Sequence, residues 1–155
     1  MKLICHRANL NGVESSLENK PEQIDKCINL GYNVEVDMRY DSSTKIFYLG
    51  HDKPQYKVNL KWIENRYQYL WIHCKDIHCL YEFLKYPDIQ YQYFWHQEDS
   101  FTLTSNNFIW TYPGKQYTSK SIIVMPEWNT KLNDFKSLKL INCYGICTDY
   151  VAYLK

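Results

Sequence analysis

The chain lacks any apolar run near the ~18–20 residues needed to span a bilayer, so no stable membrane insertion is expected. It also lacks a charge imbalance. The formal net charge is +1, so no global field draws it to nucleic acid or an anionic membrane. The six cysteines, at 5, 27, 74, 79, 143 and 147, form no Cys-x-x-Cys pair. Most fall in apolar strand or helix patterns and read as buried thiols of a reducing compartment, the cytoplasm, rather than a disulfide framework. Polar residues follow the short run Leu3-Ile4-Cys5 at once, too soon for the apolar centre of a secretory signal. No repeat, low-complexity tract or linker interrupts the sequence. Its 155 residues suit a single domain, 1–155, with a sizeable core. Hydrophobic residues make up 45%, which disfavours disorder. The 15 tyrosines read as large amphipathic fillers.

What is present is an alternation of short strand and helix signals. Lys2–Cys5 is an apolar run ending in His6-Arg7 and reads as a strand. Asn9–Asn19 is polar and reads as a loop. Pro21 near a first turn, then Ile24, Cys27 and Ile28, then a closing Gly31, predict an amphipathic helix. Val34 and Val36 alternate with Glu35 and Asp37 as a second strand. Asp41-Ser42-Ser43 is turn chemistry, and Ile46–Leu49 returns extended to Gly50-His51-Asp52. Trp62–Tyr67 reads as a short helix and Tyr69–Lys75 as a third strand. Asp76 is placed to cap a helix in which Ile77, Leu80, Tyr81 and Leu84 share a face. Tyr91–Trp95, Phe108–Tyr112, Ser121–Met125 and Ile141–Cys147 read as later strands, with a short helical segment at Asn133–Leu140. The expectation is seven main strands plus the return at 46–49, in right-handed βαβ units around a parallel sheet. Pro113 to Lys120 is shorter than the ~10–12 residues a parallel crossover wants. Either that crossover is extended, without a helix, or its strands pair differently.

Certain side chains carry chemistry. Residues i and i+2 of a strand face the same way, ~6.5 Å apart, so Glu35 and Asp37 point together. Two carboxylates on one face repel unless a cation lies between them, and hard oxygen ligands suit Mg²⁺ or Ca²⁺. His6, His51 and Arg7 add two imidazoles and a guanidinium, an inventory for moving protons around a phosphate ester. His78 reads as a helix-surface residue. His96 and the aromatics Trp110, Tyr112 and Trp128 lie near strand ends, where they line a pocket or fill the core.

In order, His6-Arg7, Glu18-Asn19, Glu35-Val36-Asp37 and Gly50-His51-Asp52 resemble the glycerophosphodiester phosphodiesterase family. Gly145–Tyr150, with Thr148-Asp149, is similar to that family's last strand, and the order of elements is also similar to the related spider-toxin phospholipases D. The resemblance implies an α/β fold, a (β/α)₈ barrel with its site at the carboxyl ends of the strands. A chain this short would be a reduced TIM-like barrel with several helices short or missing. A shortened barrel leaves apolar surface for a partner, so a homodimer is an expectation.

The resemblance implies His6 and His51 as the acid/base pair, and Arg7 and Lys75 as substrate-binding cations. It further implies Glu35 and Asp37 as ligands of a divalent metal. Asn19 orders its loop rather than touching substrate. Three positions depart from the family. Its glycine after His-Arg is Ala8, a mild change unless that backbone needs a positive φ. Leu17 replaces a proline. On the third strand His73-Cys74-Lys75 stands for Glu-x-Lys, so His73 takes the place of the third carboxylate. A nitrogen ligand tilts preference from Mg²⁺ or Ca²⁺ toward Mn²⁺ or Zn²⁺. The alternatives are that Glu98 or Glu127 replaces it, or that the metal site has decayed. The expected activity is metal-dependent hydrolysis of a small glycerophosphodiester-like substrate. Two further readings stand beside it: a phospholipase D-like lyase releasing a cyclic phosphate, and a degenerate barrel that binds a phosphoester or a protein without catalysis.

Overall fold

The computed structural model describes residues 1–155. β1 (Lys2–Cys5) leads through a long loop to α1 (Pro21–Asn29), which starts on Pro21 because proline has no amide hydrogen to waste and a helical φ already set. Gly31, at φ 86°, turns the chain out of the helix. β2 (Asn33–Asp41) is followed by β3 (Ile46–Leu49) and β4 (Tyr56–Val58). α2 (Leu60–Glu64) is capped by Asn59, whose side chain accepts from Trp62 N. β5 (Leu70–Cys74) precedes α3 (Ile77–Phe83), capped by Asp76 through Cys79 N at 2.7 Å. β6 (Tyr93–Phe94), β7 (Phe101–Leu103), β8 (Ile109–Thr111), β9 (Ser121–Val124) and β10 (Gly145–Thr148) complete a mixed α/β structure with one ten-stranded sheet.

Seven of these strands run parallel in the order β6-β5-β2-β1-β10-β9-β8. β3 and β4 continue antiparallel from the far half of β2, and β7 forms a hairpin with β8. Neighbours in the parallel run are neighbours in the chain, apart from the pairing of β1 with β10. Beyond β6, Ser105 N donates to Tyr93 O at 2.9 Å and Gln92 Nε2 to Thr104 Oγ1 at 2.8 Å, tying that strand to the turn leading into β8.

The two faces of the sheet hold different cores. On one, α1, α2 and α3 lay Ile24, Ile63 and Phe83 against Val34, Val36 and Ile72. Each such side chain contributes roughly 1.5–3 kcal/mol by leaving water. On the other, Ile4, Trp71, Phe94, Trp110, Ile122 and Cys147 form a second cluster drawn from six parallel strands. Phe94 of β6 and Trp110 of β8 meet there with ring centroids 4.4 Å apart. All six cysteines are free and buried.

Several expectations need correction. α3 buries Cys79, Glu82 and Phe83, whereas Ile77, Tyr81 and Leu84 are each more than 60% exposed. The capped start fixed the helix, but the sheet beneath took the face carrying Phe83, whose ring has no hydroxyl to desolvate, and left Tyr81 outside. The helix expected at 62–67 begins and ends earlier, because the Asn59 cap sets its start. β4 and β7 were not expected; each is three residues held only by an antiparallel neighbour. The later parallel strands are shorter than their apolar runs, and β10 starts at Gly145 rather than Ile141. Asn133–Leu140 is a run of 3₁₀ turns over Leu132–Leu140. The short 113–120 crossover is extended, and β8 and β9 still pair in parallel.

Candidate functional site

β2 and β5 set the centre of the site through their register. Glu35 lies opposite Trp71 and Asp37 opposite His73, so both carboxylates and the imidazole share one face. Donor atoms of Glu35, Asp37 and His73 all lie within 4.8 Å of one another. His73 Nδ1 is 3.7 Å from Glu35 Oε1 and 3.4 Å from Asp37 Oδ1. Its other nitrogen, Nε2, donates to His96 O at 2.8 Å. That bond places a hydrogen on Nε2 and turns Nδ1 toward the carboxylates, the arrangement of a metal-ligating histidine held by a carbonyl behind it. Asp37 Oδ1 is buried without a hydrogen-bond partner. An orphaned carboxylate oxygen beside a second carboxylate and an imidazole nitrogen fits a divalent cation of borderline character. Of the alternative ligands, Glu98 is exposed, and Glu127 is used elsewhere: it accepts from Thr148 Oγ1 at 2.8 Å and from Asp149 N at 2.9 Å.

The chain turns sharply after β1. Arg7 and Ala8 have φ of 49° and 68°. Ala8 therefore occupies a left-handed position, at a cost of roughly 1–2 kcal/mol for an L-residue, where the resembling family has glycine. The turn brings Arg7 N to Glu35 Oε2 at 3.0 Å and Arg7 Nε to Asp37 Oδ2 at 3.2 Å. Arg7 Nη1 lies 3.5 Å from Glu18 Oε2. The guanidinium expected to bind substrate is thus partly spent within the protein, leaving Nη2. Lys75, just past β5, is 3.7 Å from Asp37 Oδ1.

Asn19 and Asp37 clamp each other. Asn19 Nδ2 donates to Asp37 Oδ2 at 2.9 Å, and Asp37 N donates to Asn19 Oδ1 at 2.8 Å. Burial alone would raise the Asp37 pKa. The His73 imidazole, the Arg7 charge and the Asn19 amide outweigh it and hold the group well below the usual carboxylate range. Glu35 goes the other way, raised by burial and by the Asp37 charge.

The two other histidines are each oriented by a carboxylate. His6 Nδ1 lies 2.7 Å from Asp149 Oδ1, which also accepts from Asn9 Nδ2 at 2.8 Å. Burial disfavours the His6 imidazolium, but the bond to Asp149 and the Glu35 and Asp149 charges outweigh it and raise its pKa. His51 Nδ1 lies 2.6 Å from Asp52 Oδ1, and its backbone carbonyl accepts from Arg39 Nη2 at 2.6 Å. A polar cleft of about 190 Å³ is lined by Arg7, Glu18, Asn19, His51 and Asp52, among others. Among the remaining residues singled out, Trp110 is buried, while Tyr112 and the exposed Trp128 meet edge to face 6.2 Å apart.

Sequence reasoning assigned no role to Asp149, Asn9 or Glu18. Their signal lay in the residue types, an acid after the last strand and an Asn and a Glu in a polar loop. The β1–β10 pairing brings Asp149 to His6 and Asn9, while Glu18 meets Asn9 and Arg7 within the loop after β1. No protein-family model, curated protein or solved structure matches the chain.

Proposed function

We propose that the protein is a metal-dependent phosphodiester hydrolase acting on a small glycerophosphodiester-like substrate, built on a reduced (β/α) barrel. The barrel reading is supported by the single cluster drawn from six parallel strands and by the contact of Phe94 with Trp110, which joins β6 and β8, the two end strands of the parallel run. The observation that carries the function is the convergence of Glu35, Asp37 and His73 donor atoms beside Arg7. These three side chains would hold the divalent cation. When bound, it would stabilise charge on the phosphoryl oxygens.

The remaining steps belong to the chain's own side chains. His6 and His51 each give Nδ1 to a carboxylate, which leaves Nε2 as the proton-carrying atom in both. His51 takes a proton from the attacking water as the water oxygen bonds to phosphorus. His6, with its raised pKa, gives a proton to the departing alcohol oxygen as the old P–O bond breaks. Arg7 Nη2 and Lys75 offset negative charge at the phosphoryl group. The test is turnover of a glycerophosphodiester panel with Mg²⁺, Ca²⁺, Mn²⁺ and Zn²⁺ in turn. Metal-dependent hydrolysis lost in His6→Ala and His51→Ala is expected. Absence of turnover with all four cations sinks the proposal.

One observation favours a second reading. Arg7, Lys75 and His73 already surround Asp37, so the site could bind a phosphoester without metal or catalysis. Calorimetric binding of glycerol phosphate in chelator, with no turnover under any condition, would select it.

A further inference from the structure

The opposite end of the parallel strands holds a second pocket, of about 350 Å³, within the range of small-molecule sites. Asn33 and Trp71 lie on the same inward sheet face as Glu35, Asp37 and His73, but at its amino-terminal end. Trp71 is the floor between the two ends, with Trp110 at 6.1 Å beside it. Around it stand Phe108, 5.7 Å from Trp71, and Tyr144, 4.0 Å from Phe108. The rest of the lining is chiefly side-chain amides, from Asn33, Gln92 and the more exposed Gln68, Gln90 and Asn106.

The lining contains no carboxylate and a single cation, Lys2. That composition gives no counter-charge to an amine or a metal ion, and too little positive charge for a polyphosphate. What it offers is an aromatic wall and groups that both donate and accept. Gln92 is 7% exposed. Its Nε2 is committed to Thr104 Oγ1, while its Oε1 is buried without a partner. Asn33, 8% exposed, uses its Oδ1 for Trp71 Nε1 at 3.3 Å and keeps its amide hydrogens uncommitted. A free acceptor and a free donor beside aromatic rings are the requirements for reading an uncharged flat heterocycle by its edge while stacking on its face.

We propose that this amino-terminal pocket binds a neutral nucleobase or nucleoside, independently of the metal-centred site. The ring packs on the Trp71, Phe108 and Tyr144 wall, and Asn33 and Gln92 read its edge. The measurement is a ¹⁵N NMR titration of the full chain with adenosine, guanosine, cytidine and uridine. The Trp71 indole N–H and the Gln92 side-chain amide are the reporters. Saturable shifts of both signals are expected, unchanged by divalent metal. Gln92→Leu weakens binding about tenfold. Because Gln92 is buried, a second variant guards against misfolding: Gln68→Trp, at the exposed rim, fills the mouth and abolishes the shifts. Three outcomes overturn the assignment: no shift at millimolar nucleoside, shifts that survive Gln68→Trp, or the same signals answering to methyl glycosides and not to nucleosides.

Discussion

Replacing Asn19 tests how the carboxylate pair is held. Asn19 is 1% exposed and adopts φ 57°. Its amide makes two bonds to Asp37, at 2.9 Å to Oδ2 and 2.8 Å from N. Asn19→Gly keeps the backbone and deletes both. A stranded buried N–H costs ~1–3 kcal/mol and a lost bond to a buried carboxylate ~1.5–3 kcal/mol. Water entering the gap recovers part of this, so the expected loss is about 3 kcal/mol. Asn19→Ala deletes the same bonds and forces a Cβ into left-handed backbone, so about 1 kcal/mol more is expected. Both losses are large against a total stability of ~5–15 kcal/mol. Urea unfolding at neutral pH measures them as shifts in midpoint with an unchanged slope. A loss below about 1 kcal/mol in Asn19→Gly would show that Asn19 does not hold Asp37. An alanine variant no less stable than the glycine one would show that the left-handed backbone at 19 costs nothing.

Further outcomes follow from the same geometry. The His6 pKa is raised, so its contribution is complete below its unfolded value and fades as pH rises through the folded one; Asp149 is lowered, so its contribution fades as pH falls through its folded value. The pair is therefore strongest between roughly pH 4 and 6.5, and the stability gap between wild type and Asp149→Asn should shrink from about pH 5.5 to about pH 8, on either side of the ordinary histidine value of ~6.5. A gap independent of pH argues against the ion pair. Mn²⁺ or Zn²⁺ at about 100 times Kd should add ~2.7 kcal/mol, seen as a rise in Tm that chelator reverses and Asp37→Asn removes. No rise with any divalent cation counts against the Glu35, Asp37 and His73 centre. Gly50 has φ 142°, and a Cβ there would lie 2.2 Å from Lys53 O. Gly50→Ala should displace the loop carrying His51, costing about 2 kcal/mol or more and lowering turnover while far-UV circular dichroism stays native. Full turnover in that variant would show that the position of His51 does not matter.

The first third of the chain was the most legible because its signals are local and agree. The apolar run of β1, the Pro21 and Gly31 punctuation of α1 and the alternation in β2 each specify one answer. Glu35 and Asp37 could be paired from strand periodicity alone, and His73 follows because β5 lies in register beside them. From β6 to β8 the strands fall to two or three residues, too short for periodicity to register. α3 shows another limit: two apolar stripes compete on it, and only the sheet beneath decides that Phe83 goes in and Tyr81 stays out. Arg7 was expected to face substrate, yet Glu18 and Asp37 engage two of its nitrogens. Asp149 reaches His6 across the seam between β1 and β10, and Glu127, just past β9, reaches Thr148 and Asp149 at the end of β10, relations carried by tertiary pairing and by no local pattern.

Lys2–Cys5 pairs along its length with Gly145–Thr148. During synthesis, then, β1 emerges from the ribosome long before its partner. Until that partner arrives, an edge of Leu3, Ile4 and Cys5 stands open to any passing strand. Closing so long a loop is among the slowest contacts a small domain can make. His6 gains its aspartate only when β10 is laid in, so a nascent chain already carrying its acidic pair is still without a fixed imidazole.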